Sequence, residues 1–217
     1  MKVKRYLLVC MTVAVVLGCS VASVRADDIY PPPWERGHPN TTLQDWTFSS
    51  DANPSAPDVA FYNLYGTPQA TITGTGNTWF QFYDNHNGVW ALGGPTSSMD
   101  LGIPNTPLDD TKTKDVWTQI TWEPNGTNEA PVVMVNGIAS ESFTNYSIGD
   151  GGWFQSVYQT HLAYNPQYED VVITGSYDLG EVVVDTQCIP EPSSLALLAM
   201  GAISLLPYAW RKRRLAA

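Results

Sequence analysis

"DVWTQITW", residues 115–122, decides the fold. Val116, Thr118, Ile120 and Trp122 recur at every second position, and successive side chains of an extended strand point to opposite faces. β-Branched and aromatic residues fill the stretch, the types that pack best on a pleated surface. A helix would scatter the same residues around its circumference. The octet also sets Trp117 and Trp122 at opposite parity, so a regular strand cannot send both rings into one core. One of the two is therefore expected to face outward or lie at an edge.

The pattern repeats on both sides of the octet. Short apolar or alternating runs fall at 45–50, 70–75, 78–84, 89–92 and 98–103, and again at 131–135, 138–147, 153–164, 170–176 and 180–186. Clusters of Gly, Pro, Asn and Asp separate them. The run 85–88, "NHNG", predicts a hairpin turn between the strands at 78–84 and 89–92, and Asn136-Gly137 predicts another. No segment has an amphipathic helical period. Such a succession of short strands without helices predicts an all-β domain, a jelly-roll-like two-sheet β-sandwich, with a barrel as the alternative.

This domain is strongly acidic. Every one of the 21 acidic residues except Glu191 lies in 27–186, whereas Arg36, Lys112 and Lys114 are its only basic residues among the chain's 11. Such a surface repels nucleic acid and anionic headgroups, and favours solubility in salty water. Cys10 and Cys19 precede the domain, and Cys188 follows it, so no internal disulfide is expected.

The two ends have a different composition. Lys2, Lys4 and Arg5 precede an apolar run over 6–17, and Val24-Arg25-Ala26 suits a small-residue cleavage site. Residues 1–26 are thus expected to be a secretory signal peptide removed by signal peptidase. "VLGC", 16–19, offers lipidation of Cys19 as a second processing route. At the other end, residues 193–210 carry no charge and span about 27 Å at about 1.5 Å per residue, enough for a thin bilayer. A single C-terminal transmembrane helix is expected there. Arg211, Lys212, Arg213 and Arg214 follow and hold the cytoplasmic side, which leaves the domain outside.

Immediately before the apolar span stands Ile189-Pro190-Glu191-Pro192. Motif, apolar helix and arginine-rich tail, in that order over 187–214, resemble the PEP-CTERM sorting signal, a tail sometimes labelled as the C-terminal domain of ice-binding proteins. That label describes the tail and is no evidence of ice binding. The resemblance implies a Gram-negative, exopolysaccharide-making bacterium, and an exosortase that recognises Pro190, Glu191 and Pro192 as a substrate signal. It further implies a protein anchored in the membrane facing outward, then placed on the cell surface or in the extracellular matrix. Two prolines around Glu191 remove two amide donors and hold the backbone extended, which predicts that the motif joins neither the preceding strand nor the following helix.

Within the domain, chemistry is sparse in the sequence. His38, His86 and His161 lack metal-site spacing, and no H-E-x-x-H, G-x-S-x-G or phosphate-cradling glycine loop occurs. With so many carboxylates, no short pattern singles out a catalytic pair. The domain is therefore expected to be non-catalytic and without a cofactor. Asp84 in "DNHNG", Asp109 and Asp110 in "LDDT", and Asp150 in "GDGG" are candidate calcium ligands, although hairpin turns explain the same residues. All tryptophans except Trp210 lie in the domain. Exposed aromatic rings stack on the C–H faces of sugars, which makes Trp117 and Trp122 the candidate carbohydrate-binding residues. A structural or adhesive module is the leading expectation. A lectin-like module binding exopolysaccharide and a polysaccharide-active hydrolase or lyase are the alternatives.

Overall fold

The computed structural model describes residues 28–190 apart from 95, 108, 110, 127–128 and 149–150, together with Gly201 and Ile203. The expected signal peptide, Cys19, Glu191, Pro192, the basic tail and nearly all of the expected transmembrane helix lie outside the described residues.

The fold-deciding octet sits inside β7 (Lys112–Pro124), flanked by β11 (Phe154–Leu162) and β13 (Tyr177–Pro190). Beyond β11 lies β10 (Glu141–Ser147), and beyond β13 lie β1 (Thr41–Trp46) and β2 (Ala60–Tyr62). The hairpin of β4 (Thr78–Tyr83) and β5 (His86–Ala91) joins the same sheet where β5 pairs with Asp178 and Leu179 of β13. The second sheet runs β3 (Gln69–Thr73), β6 (Ser98–Pro104), β12 (Tyr168–Thr174), β8 (Val132–Val135) and β9 (Ile138–Ala139). All pairings are antiparallel. The protein is an all-β, two-sheet antiparallel sandwich.

Its core follows from the alternation. Val116, Ile120 and Trp122 of β7 face the second sheet, beside Trp46 of β1, Val182 and Val184 of β13, and Tyr158 of β11. Met99, Leu101, Ile103, Val133, Val135, Val171 and Ile173 meet them from the second sheet. A β-bulge between Leu179 and Glu181 shifts the parity of β13, so Leu179 and Val182 both reach this core although their numbers differ in parity.

Several boundaries differ from the sequence expectation for local reasons. The run at 45–50 leaves the ladder after Trp46, because the Asp58 carboxylate accepts from the Thr47 and Ser49 amides at 2.7 and 2.6 Å. The hairpin turn is Asp84-Asn85, not 85–88: Tyr83 pairs with His86, and both turn residues have positive φ, 40° and 69°. Asp and Asn tolerate this conformation, and a two-residue turn of this kind matches the twist of the strands. Gly88 is then free for β5, where a Cβ would lie 2.3 Å from the carbonyl oxygens of Thr47 and Phe48. The run 138–147 is two strands, β9 and β10, divided at Ser140 as the chain passes from one sheet to the other.

The largest difference concerns β13. It continues past residue 186, pairing Ile189 with Thr113 and Pro190 with Lys112. The expectation that Pro190 stays out of the preceding strand is corrected. As the last residue of the strand, Pro190 needs no amide donor to extend the pairing.

Candidate functional site

Three places collect the residues that the sequence singles out. They are the outer face of the first sheet, the tip of the β4–β5 hairpin, and the C-terminal end of β13.

On the outer face, Trp117 has the outward parity that its position in β7 dictates, yet it is only 8% exposed. Residues 28–36 lie over it. The Trp117 indole donates to the Tyr30 carbonyl at 2.9 Å, and the Trp34 ring meets it edge-on at 6.4 Å. Gln119 accepts from the Tyr30 amide at 3.0 Å and donates to Asp28 at 2.6 Å. Tyr30 stacks on Tyr146 with ring centroids 3.9 Å apart. Arg36 fastens the segment. Its guanidinium pairs with Asp28, and donates to both oxygens of Asp185 at 2.7 and 2.6 Å. Burial pushes the Asp185 carboxyl up to about 6 against the pull of Arg36, with Asp28 and Asp45 nearby adding to the rise. Trp122, on the other face, is 1% exposed and donates to the Ser156 hydroxyl at 2.8 Å. Trp117 takes the outward face expected of one of the two rings, but residues 28–36 cover it, so neither Trp117 nor Trp122 is an open platform.

Aromatic exposure is found instead on β4. Phe82 is 62% exposed, Phe80 and Tyr83 are also exposed, and the Phe80 and Tyr83 rings lie 5.3 Å apart. The sequence does not mark them as exposed, because Trp79, Phe80, Phe82 and Tyr83 fall on both faces of β4 and read as a strand covered on both sides. Only its pairing reveals the difference, since β4 hangs from β5 outside the main path of the sheet.

At the tip of the same hairpin, Asp84 lies within hydrogen-bonding reach of Glu123, and Tyr83 reaches Asp178. Asn125 donates to Asp178 at 3.3 Å. Burial raises the Glu123 carboxyl above its ordinary value, and the charges of Asp84 and Asp178 add to the rise. Burial also raises Asp178, opposed by Tyr83 and Asn125. Asp109, in contrast, accepts from the Thr111 amide and hydroxyl at 3.0 and 2.6 Å and pairs with Lys112 at 3.0 Å, which holds its carboxyl at about 2. Asp84 and Asp109 therefore sit at opposite ends of β13, one near Asp178 and the other beside the partner of Pro190. Asp110 and Asp150 lie outside the described residues. Among the described residues, no group of three or more His, Cys, Asp or Glu side chains is placed to hold a metal ion. His161, a lone strand histidine in the sequence, does have a charged partner, with Nδ1 2.7 Å from the Asp115 carboxylate.

The C-terminal end of β13 carries the sorting element. Cys188, Ile189 and Pro190 pair with Lys114, Thr113 and Lys112, and Pro190 is exposed at the edge of the described domain.

Comparison with known proteins gives a distant likeness and one specific match. Two structures of an exo-β-1,3-galactanase of Phanerochaete chrysosporium with β-1,3-galactotriose align over 58% of this chain and 30% of theirs, at 16% identity and a TM-score of 0.37. The GH26-CBM35 β-(1,4)-mannanase of Podospora anserina aligns over 70% of this chain and 29% of its own, at 16% identity and a TM-score of 0.38. The chain thus spans under a third of these structures. No curated protein matches it. Residues 189–214 match the PEP-CTERM protein-sorting motif. With Ile189 and Pro190 at the end of β13 and the rest of the match beyond it, the chain carries a PEP-CTERM sorting motif at its C terminus, which implies export, sorting to the cell surface and processing by exosortase.

Proposed function

We propose that this chain is an outward-facing surface or extracellular-matrix protein whose jelly-roll-like ectodomain is a structural or adhesive module without catalytic activity. The membrane holds it through residues 193–210 until exosortase acts at Pro190-Glu191-Pro192.

One observation carries this reading. β13 is an interior strand, paired with β7 along its length and with β1 over residues 182–187, and it runs unbroken into the first residues of the sorting motif. Force applied at the anchor enters through a strand end paired with β7 and passes directly into a stretch held on both sides, whose hydrogen bonds must shear together. That arrangement suits a domain tethered by its end. The test is to incubate the secreted full chain with the exopolysaccharide of a producing cell and measure the polymer's size. Unchanged size, together with looser matrix in a deletion strain, is expected. Shortened polymer would replace this reading with a hydrolase or lyase.

For the hydrolase alternative, the hairpin tip offers Glu123 and Asp84, but these carboxyls are in hydrogen-bonding contact, whereas glycoside cleavage requires about 5–9 Å between them. The lectin-like alternative has better support from Phe80, Phe82 and Tyr83, exposed on one hairpin beside polar Gln81 and Asn85. Retention of the full chain on exopolysaccharide, lost in Phe82→Ala and unaffected by EDTA, would favour it.

A further inference from the structure

At the Cys188 end of the sandwich, a polar cluster lies sealed between the sheets. Lys114 of β7 and Glu169 of β12 are both fully buried, with Nζ 2.6 Å from Oε1. Asn105, which follows β6 directly, is 7% exposed, and its Nδ2 donates to the same Glu169 Oε1 at 2.7 Å. The amine and the carboxamide nitrogen therefore touch one carboxyl oxygen. Asn165 Oδ1 and the Pro166 carbonyl also accept from Asn105 Nδ2, at 2.6 and 2.8 Å. Three acceptors thus surround a nitrogen that bears two hydrogens as an amide and three as ammonia.

A buried ion pair is costly, and removing water from around a carboxylate favours its protonated acid. Burial does raise the Glu169 carboxyl, with Lys114 opposing the rise. Passage of a proton from Nζ to the touching carboxyl oxygen puts every component of a transamidation in place: an amine, an amide held on the same oxygen, an acid touching both nitrogens, and no bulk water to compete.

We propose that Lys114 and Asn105 join in an intramolecular isopeptide bond, with Glu169 carrying the proton between them, so that β7 of one sheet becomes covalently tied to the end of β6 in the other. Lys114 Nζ attacks Asn105 Cγ and forms the new C–N bond. Glu169 gives its proton to Asn105 Nδ2 and takes one from Nζ. The Cγ–Nδ2 bond then breaks, and ammonia leaves. No electron is gained or lost, and no co-reactant is needed. The rest of the cluster has a positioning role: Asn165 holds the leaving nitrogen and in turn accepts from the Cys188 thiol at 3.1 Å.

The experiment is mass spectrometry of the processed protein from a host that exports the full chain. Formation of the bond removes one ammonia, a loss of about 17 Da from the intact mass. After denaturation and trypsin, cleavage at Lys112 should leave the peptide that begins at residue 37 attached to the one that begins at residue 113, with no cleavage after Lys114. Glu169→Gln and Lys114→Met should each restore the unreacted mass and release separate peptides. The wild-type chain alone decides the matter if those variants fail to fold. A full intact mass overturns the proposal, and so does an ammonia loss with separable peptides, which would mean a succinimide at an asparagine.

Discussion

The two faces of β7 show how differently one strand can be buried. On the inner face, Trp122 meets Phe154 and Tyr177 across a close-packed apolar layer. On the outer face, Trp117, Gln119 and the neighbouring Asp185 are just as hidden, but the cover is a single irregular segment held by hydrogen bonds and one guanidinium. The inner cover is non-directional and strong because large apolar area leaves water. The outer cover depends on a few partners, one of which is a carboxylate forced to share Arg36 with Asp28. The inner layer should therefore resist changes of pH and salt that loosen the outer one.

Truncating the inner face should cost most. Trp122→Ala is expected to lower unfolding free energy by about 3–5 kcal/mol in chemical denaturation, since it leaves a cavity between the sheets. Arg36→Ala should cost less, about 1–3 kcal/mol, since it strands a buried carboxylate beneath a partly exposed clamp. It should also raise hydrogen exchange in residues 28–36 while leaving β12 unchanged. An equal rise in both would erase the distinction between the faces.

The pH dependence sharpens the comparison. Asp185 is pushed up to about 6, above the usual 3.8, so between these values the folded protein holds a proton that the unfolded chain has released. Stability is then full below about 4 and falls as pH rises through about 6, by roughly 1–3 kcal/mol. Asp185→Asn should flatten this part of the melting profile. Smallest of all should be Phe82→Ala on the exposed hairpin, within about 0.5 kcal/mol of wild type.

Most of the architecture is legible in strand alternation, because period two survives wherever one face is apolar. The octet at 115–122 falls in a strand with Trp122 in the core. What the alternation cannot carry is the second cover. The outer burial of Trp117 depends on Tyr30 and Trp34, more than 80 residues earlier, in a stretch of prolines with no strand pattern. Likewise, Lys114, Asn105 and Glu169 meet only through the pairing of β12 with β6 and the packing of one sheet on the other. The sorting motif is legible for the opposite reason: it is contiguous and lies in one reading frame of 26 residues, 189–214, with no need of folding to assemble it. Its fusion to β13 was hidden because two prolines argue against a strand, whereas a proline in the last position is tolerated.

Fractionation of cells that express the full chain tests the union of this domain with its sorting tail most directly. Wild-type protein should reach the surface or matrix in processed form, while Glu191→Ala should stay unprocessed in the membrane with its sandwich intact. Identical fractionation and processing of the two chains would contradict it.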